Sequence, residues 1–172
     1  NGEALRPEQG YPARLVVPGW EGNMWIKWIR RIEFGDMPYL TREETSKYTD
    51  LMTDGSARMF TWVMEAKSVV TFPSPENPLN KKGLHQLRGL AWSGRGKIRR
   101  VDVSLDGGRN WNTTNIHGPI LNKSLTRFTM PFYWSGDEML VQARAIDETG
   151  YVQPTIKELQ NVRGVNSIYH NN

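Results

Sequence analysis

From about Leu84 onward, five short runs are each closed by a glycine-containing turn: LHQLRGLAWSG, KIRRVDVSLDGG, RNWNTTNIHG, SLTRFTMPFYWSG and DEMLVQARAIDETG. Turn signals recurring at about this spacing, roughly every ten residues, are the pattern of an antiparallel sandwich. In the second run Val101, Val103 and Leu105 alternate with Asp102 and Ser104. In the fifth, Met139, Val141, Ala143 and Ala145 alternate with Leu140, Gln142 and Arg144. A period of two puts alternate residues on opposite faces of a strand, so both are predicted half-buried. Asp106-Gly107-Gly108 predicts a hairpin turn with one residue left over for a bulge. The fold class is therefore mostly β, an immunoglobulin-like β-sandwich over about 61–165 with an irregular arm before it.

Upstream the pattern is less regular. MFTWVMEAKSVVTFPSP reads as strand material ending in Val69, Val70 and Phe72 ahead of three prolines, although WVMEAKS is also rich in helix formers. Residues 35–58 are polar and turn-rich, a long connection in which Thr41 and Glu44 stand at capping-box spacing for a brief helix over EETSKY. Residues 1–12 hold two prolines and two glycines and predict an extended arm. Between these lies Leu15-Val16-Val17, halted by the turn signal Pro18-Gly19. MWIKWIRRI follows, and a period of two places Met24, Ile26, Trp28 and Ile32 on one face, with Trp25, Lys27, Ile29 and Arg31 on the other. On that reading Lys27 points away from Trp28.

Composition narrows the function classes. The 172 residues are 38% hydrophobic with seven tryptophans, which predicts a core built on a few large aromatics. Twenty-two Lys and Arg against 18 Asp and Glu give +4, short of the dense basic patch of a nucleic-acid binder. No cysteine is present, so this chain supplies no disulfide, no thiolate metal ligand and no cysteine nucleophile. No apolar run reaches the roughly 18 residues of a membrane helix, and no leader pattern precedes the arm. A start at NGEALRP without Met is what a processed or excised piece would show. His85, His117 and His170 share no ligand spacing, and Asp102 and Asp106 read as surface acids. Four cations, Arg14, Lys27, Arg30 and Arg31, interrupt the apolar stretch 13–33. Trp25, Trp28, Arg30 and Arg31 fit either a stacking platform for single-stranded nucleic acid or core tryptophans beside solvated arginines, and the small net charge favours the second. Arg14 and Lys27, by local chemistry alone, read as a solvated rim or as an anion contact.

Taken in order, NGEALRPEQGYPARLVVPGW, GNMWIKWIRRIE, LRGLAWSG, RRVDVSLDGGRNW, ARAIDETGYVQP and NVRGVNSIYH resemble the C-terminal half of the sulfite oxidase family of molybdenum-cofactor enzymes, which includes plant nitrate reductase. The resemblance spans nearly the whole chain and rests on the combination of VVPG, IKW, AWSG and VSLDGG. TREETSKYTDLM, ARMFTWVMEAKSVVTFPSP and WEGNMWIKW carry a narrower likeness to the molybdenum subunit of bacterial sulfane dehydrogenases. The resemblance implies that residues 1–33 are the C-terminal tail of a molybdopterin-binding domain, 34–60 a connecting segment and 61–172 an Ig-like dimerisation domain. It implies a molybdopterin cofactor shared with an upstream domain that holds the molybdenum-ligating cysteine, so that this chain alone is not active. It also implies a homodimer, a c-type cytochrome partner subunit carrying the haem, and a periplasmic location, with no role for nucleic acid or membrane.

By the same matching, Arg14 of R-x-VVPG and Lys27 of the family's V-K-W meet the phosphate of the pterin, through a two-pronged guanidinium and a compact ammonium. Backbone groups of Trp25 and Ile26 are implied as further contacts. Gln9 stands before Gly10-Tyr11-Pro12 where sulfite oxidases usually have His before G-F-P, and it can donate a hydrogen bond but not carry charge. Arg163 in VRGV is the candidate for an arginine near an oxyanion substrate, and Phe132 and Trp134 of FYW are candidates for the dimer face. The implied chemistry is two-electron oxidation of a sulfur centre followed by one-electron steps to haem. The competing reading is a stand-alone Ig-like binding module without catalytic activity.

Overall fold

A computed structural model describes residues 2–59 and 62–163, with the side chain of Arg163 outside that set. Two 3-10 turns, Pro7–Gln9 and Gly22–Met24, punctuate the arm, and the strand predicted over MWIKWIRRI does not form as a regular ladder. Helix α1 (Arg42–Lys47) starts where its capping box predicts: the Thr41 N–H donates to the Glu44 carboxylate at 3.0 Å. The connection folds further than its composition suggests, because β1 (Asp50–Leu51) and β2 (Ala57–Arg58) pair as a small hairpin. Asp54 organises that turn by accepting from the Ser56 N–H and hydroxyl at 2.9 and 2.6 Å.

Seven strands follow: β3 (Lys67–Phe72), β4 (Gly83–Trp92), β5 (Ile98–Ser104), β6 (Asn112–Thr113), β7 (Asn115–His117), β8 (Thr126–Trp134) and β9 (Gln142–Asp147). They form two antiparallel sheets, ordered β3-β4-β8-β7 and β6-β5-β9, packed as the predicted immunoglobulin-like sandwich. The helix that WVMEAKS would permit is absent, because its backbone is bonded elsewhere, as described below. The third run of the sequence pattern serves both sheets rather than one. Asn112–Thr113 pairs with β5 and Asn115–His117 with β8, and the buried Thr114 between them donates both N–H and hydroxyl to the Val101 carbonyl at 2.9 Å. Helix α2 (Ile156–Arg163) was not evident from the pattern; Thr155 and Glu158 cap its start, and Leu159 buries its inner face.

The core differs from the expected one. Phe128, Leu87, Ile98, Val101 and Val103 are fully enclosed with Ala91 and Ala145, and Phe132 and Met130 close the layer. No described tryptophan is fully buried. Trp25, Trp111 and Trp134 sit half-buried, their indole N–H groups donating to the carbonyls of Trp20, Gly108 and Asp137 at 3.2, 3.0 and 2.8 Å. An indole buries a large ring but needs an acceptor for its N–H, so the rim suits it better than the centre. Asp102 also departs from expectation. It lies on the outer face of the three-stranded sheet yet is only 3% exposed, roofed by Arg100 and Arg144 at 3.1 and 3.3 Å and bonded by the Thr113 hydroxyl at 3.0 Å. Arg144 in turn lies 4.1 Å from the Trp111 ring centroid, a cation–π lid over the acid.

Asp106 does not make a tight hairpin turn with a bulge; it caps a longer loop between β5 and β6. Its carboxylate accepts from the N–H and side-chain amide of Asn110 at 2.9 and 2.7 Å, from the Ser104 hydroxyl at 2.7 Å and from the Arg109 N–H at 3.0 Å. These donors, Asn110 foremost, hold its carboxyl down to about 2. Asp147 is also held below its ordinary value. Burial pushes it up, but hydrogen bonds from Thr149, Ser93 and the Tyr151 N–H outweigh that. Because both folded-state values lie below the unfolded ones, their stabilisation is complete above about pH 4 and is lost as pH falls through the folded values, near 2 for Asp106. Thermal melts should therefore drop steeply between about pH 4 and about pH 2, and Asp106→Asn should flatten part of that decline. Equal pH dependence in both proteins would contradict the assignment.

Candidate cofactor-anchoring site

The site begins with two extended stretches lying side by side. The Leu15 N–H donates to the Ile26 carbonyl at 2.9 Å, and the Ile29 N–H to the Ala13 carbonyl at 3.0 Å, which sets Arg14 beside Lys27. Both reach the same 3-10 turn: Arg14 Nη1 donates to the Gln9 carbonyl at 3.2 Å and Lys27 Nζ to the Glu8 carbonyl at 2.6 Å. Trp28 Nε1 takes the next carbonyl, that of Pro7, at 2.9 Å. Three consecutive carbonyls are thus met by three side chains from two extended stretches. The strict alternation read from the sequence is broken here. Trp28 has φ of 51°, in the left-handed region, and this turns it to the same side as Lys27, whose ammonium lies 5.6 Å from its ring centroid. Gly10 is buried at φ of 113°, and a Cβ there would meet the Lys27 Cβ at 3.0 Å, so the turn and the lysine stem lie in close contact.

The donors left over are as informative as those used. Arg14 Nε is buried and has no hydrogen-bond partner among the described residues, and its guanidinium faces Trp25 at 6.0 Å. A buried guanidinium N–H without an acceptor is costly, so this edge of Arg14 is suited to one. Among the described residues the Ile26 N–H and the Trp25 carbonyl likewise carry no hydrogen bond. Gln9 contributes its backbone carbonyl, while its side chain is exposed. The remaining cations of the stretch are elsewhere: Arg30 is exposed, and Arg31 is exposed and ion-paired with Glu33. The structure thus separates Arg14 and Lys27 from Arg30 and Arg31.

A second constellation joins the arm to the sandwich, and sequence reasoning missed it. Gly19 of VVPG and Gly94 of AWSG abut backbone to backbone: a Cβ on Gly94 would lie 2.0 Å from the Gly19 carbonyl oxygen and 2.7 Å from that of Met64. The Met64 N–H donates to Gly19 at 2.8 Å, the Gly94 N–H to Met64 at 2.8 Å, and the Glu21 N–H to Trp62 at 2.7 Å. Trp20 stacks on Trp62 with centroids 5.3 Å apart. Ser93, the other half of the AWSG corner, donates to the fully buried Asp147 at 2.7 Å. The signal was present in the sequence, since both glycines sit in the motifs that carry the family resemblance, but a contact between them cannot be read from one segment at a time.

Other predicted positions fall as follows. Arg163 is the last residue of α2 and its side chain lies outside the described residues. Phe132 points into the core at 5% exposure and cannot serve a dimer face, and Trp134 packs against the core; Tyr133 between them is 69% exposed and directly opposes Leu84, 77% exposed, on the outer sheet face. His85 bonds the Lys81 carbonyl and His117 the Thr129 hydroxyl, while His170 lies outside the described residues. No group of three His, Cys, Asp or Glu among the described residues could hold a metal, and no described helix is long and apolar enough to cross a membrane.

The fold and the arm together define a class: an Ig-like sandwich module with a cationic, partly buried arm fixed against it. Residues 58–172 match the Mo-co oxidoreductase dimerisation domain and residues 1–42 the oxidoreductase molybdopterin binding domain. The chain belongs to the molybdenum-cofactor oxidoreductase dimerisation-domain family. It is 64% identical to the sulfane dehydrogenase SoxCD from Paracoccus pantotrophus, with a TM-score of 0.92, over 100% of this chain and 44% of that one. It is 31% identical to sulfite oxidase of Gallus gallus over 180 residues, covering 96% of this chain and 39% of the relative. For NADH nitrate reductase of Petunia hybrida the identity is 29% over 197 residues, covering 96% of this chain and 21% of the relative. The chain thus spans less than half the length of each of these proteins.

Proposed function

We propose that this chain is the cofactor-anchoring and dimer-forming part of a molybdenum-dependent sulfane or sulfite dehydrogenase that passes electrons to a c-type cytochrome, in the periplasm. The observation that carries the reading is the convergence of Arg14 and Lys27 on one turn, with a buried Arg14 Nε still lacking an acceptor. That donor set fits a phosphate, which offers several oxygens to a guanidinium edge, an ammonium and a backbone N–H. Molybdopterin, the cofactor of the matched binding domain, carries such a group. The similarity to a sulfane dehydrogenase favours sulfane sulfur as the substrate class, with sulfite as the alternative.

When bound, the cofactor would supply two-electron oxidation of a sulfur centre with oxygen drawn from water. This chain's residues bind and orient. Arg14 and Lys27 hold the anionic end, the Ile26 N–H donates to it, and the Gly19–Gly94 corner keeps the arm fixed against the sandwich. With no cysteine in its sequence, this chain leaves the metal thiolate to the upstream domain, and the haem belongs to a separate cytochrome subunit. Arg163, just past the sandwich, is assigned to the oxyanion of the substrate. Gln9 supports the site through its backbone rather than through charge.

The test is cofactor content in the whole subunit, upstream domain included. Arg14→Ala and Lys27→Ala should each lower bound molybdopterin affinity by roughly tenfold, the scale of a lost hydrogen bond to a charged group. Unchanged pterin per subunit in both variants would defeat the anchoring role.

A further inference from the structure

We propose that Trp28 is the positioning residue of the anion site: its indole, presented by a left-handed backbone and hydrogen-bonded to the Pro7 carbonyl, fixes where the Lys27 ammonium sits. The proposal rests on the anchoring reading of Lys27 given above. Four observations meet at this residue. Its φ of 51° is an outlier for a bulky side chain, and such conformations persist where surrounding contacts impose them. In an extended chain residues 27 and 28 would point to opposite sides; the turn at Trp28 brings them to the same side. The indole N–H then meets the Pro7 carbonyl at 2.9 Å, one residue before the Glu8 carbonyl that takes the Lys27 ammonium at 2.6 Å. Finally the ammonium lies 5.6 Å from the indole centroid, where the ring's electron-rich face attracts a cation.

Together these make the indole a clamp on both partners of the lysine. It grips the Pro7–Gln9 turn that supplies the carbonyl, and it contacts the ammonium itself. Trp28 touches no ligand in this scheme. A ring that lost its N–H would leave the turn held by Lys27 and Arg14 alone, and the ammonium would spend less time aimed at the anion.

The experiment uses the whole subunit and reads release of bound molybdopterin, followed by the fluorescence of the oxidised pterin after dilution, so it does not depend on turnover. Trp28→Phe keeps a ring but removes the N–H; Trp28→Asn tolerates the left-handed backbone but removes the ring. Each should release pterin roughly fivefold faster, the scale of one lost hydrogen bond. Lys27→Met should release it faster still, and Lys27→Met combined with Trp28→Phe should be no faster than Lys27→Met alone, because the clamp has nothing left to position. If Lys27→Met accelerates release but the two effects multiply, or Trp28→Phe and Trp28→Asn are both silent, Trp28 is a structural residue and the proposal fails while the anchoring reading stands. If Lys27→Met is itself silent, the anchoring role of Lys27 fails and the proposal goes with it. Should one of the two Trp28 variants not accumulate as folded subunit, the same coupling is read from the other.

Discussion

Gly94→Ala is expected to pry the arm off the sandwich. The new methyl carbon would sit 2.0 Å from the Gly19 carbonyl oxygen and 2.7 Å from that of Met64, and both are backbone atoms that cannot swing aside as a side chain would. Relief requires the 19–21 and 62–64 segments to separate, which breaks the 2.8 Å bond from Met64 to Gly19 and unstacks Trp20 from Trp62. Overpacking of this kind costs about 1–3 kcal/mol, and the broken bonds should place this case at the upper end. At about 2–4 °C per kcal/mol for a chain of this size, the melting temperature should fall by roughly 6–12 °C. Trypsin should then cut faster at Arg14, Lys27 and Arg30, because the arm that carries them is no longer held. An unchanged melt together with an unchanged digestion pattern would show that the corner tolerates a methyl and that the glycine contact is incidental.

The second large effect is expected at Asp147. Its side chain is fully enclosed and accepts from the Ser93 hydroxyl at 2.7 Å, the Thr149 hydroxyl and N–H at 2.6 and 2.9 Å and the Tyr151 N–H at 3.2 Å. Asp147→Ala strands the buried Ser93 hydroxyl and the Tyr151 N–H and leaves a gap, while the exposed Thr149 can turn to water, a combination that should cost roughly 2–4 kcal/mol in chemical denaturation. Ser93→Ala removes one of the four donors to this carboxylate and should cost about 1.5 kcal/mol, the low end for a hydrogen bond to a charged group. A cost for Asp147→Ala no greater than that of Ser93→Ala would mean that water replaces the carboxylate and that this turn is not a structural centre.

What the sequence allowed one to see, and what it hid, follow from range. Period-two runs and glycine turns report local backbone geometry, so β4, β5, β8 and β9 were legible, as was α1 through its Thr41–Glu44 cap. The same signature at Thr155–Glu158 is weaker in the sequence because α2 spans only eight residues, with three apolar positions at Ile156, Leu159 and Val162 to mark its face. Asp102 was read as a surface acid, since nothing local announces that Arg100, Arg144 and Trp111 will close over it from two strands and a loop. At the candidate site, Arg14 and Lys27 were singled out by resemblance and not by pattern. Strict alternation placed Lys27 and Trp28 on opposite sides, and a single left-handed residue undid it. One positive φ cannot be inferred for a tryptophan, whereas it can for a glycine.

The stack of Trp20 on Trp62 has a consequence for how this architecture can vary. Residues 30–59 leave one tethered strand and return to another, so their length enters the free energy only through the slowly growing entropy of a loop whose ends are already joined. A whole domain-sized insertion between Gly35 and Gly55 should therefore leave Arg14, Lys27 and the sandwich in register with each other. That stretch is where this architecture can gain a docking surface without disturbing the arm or the sandwich.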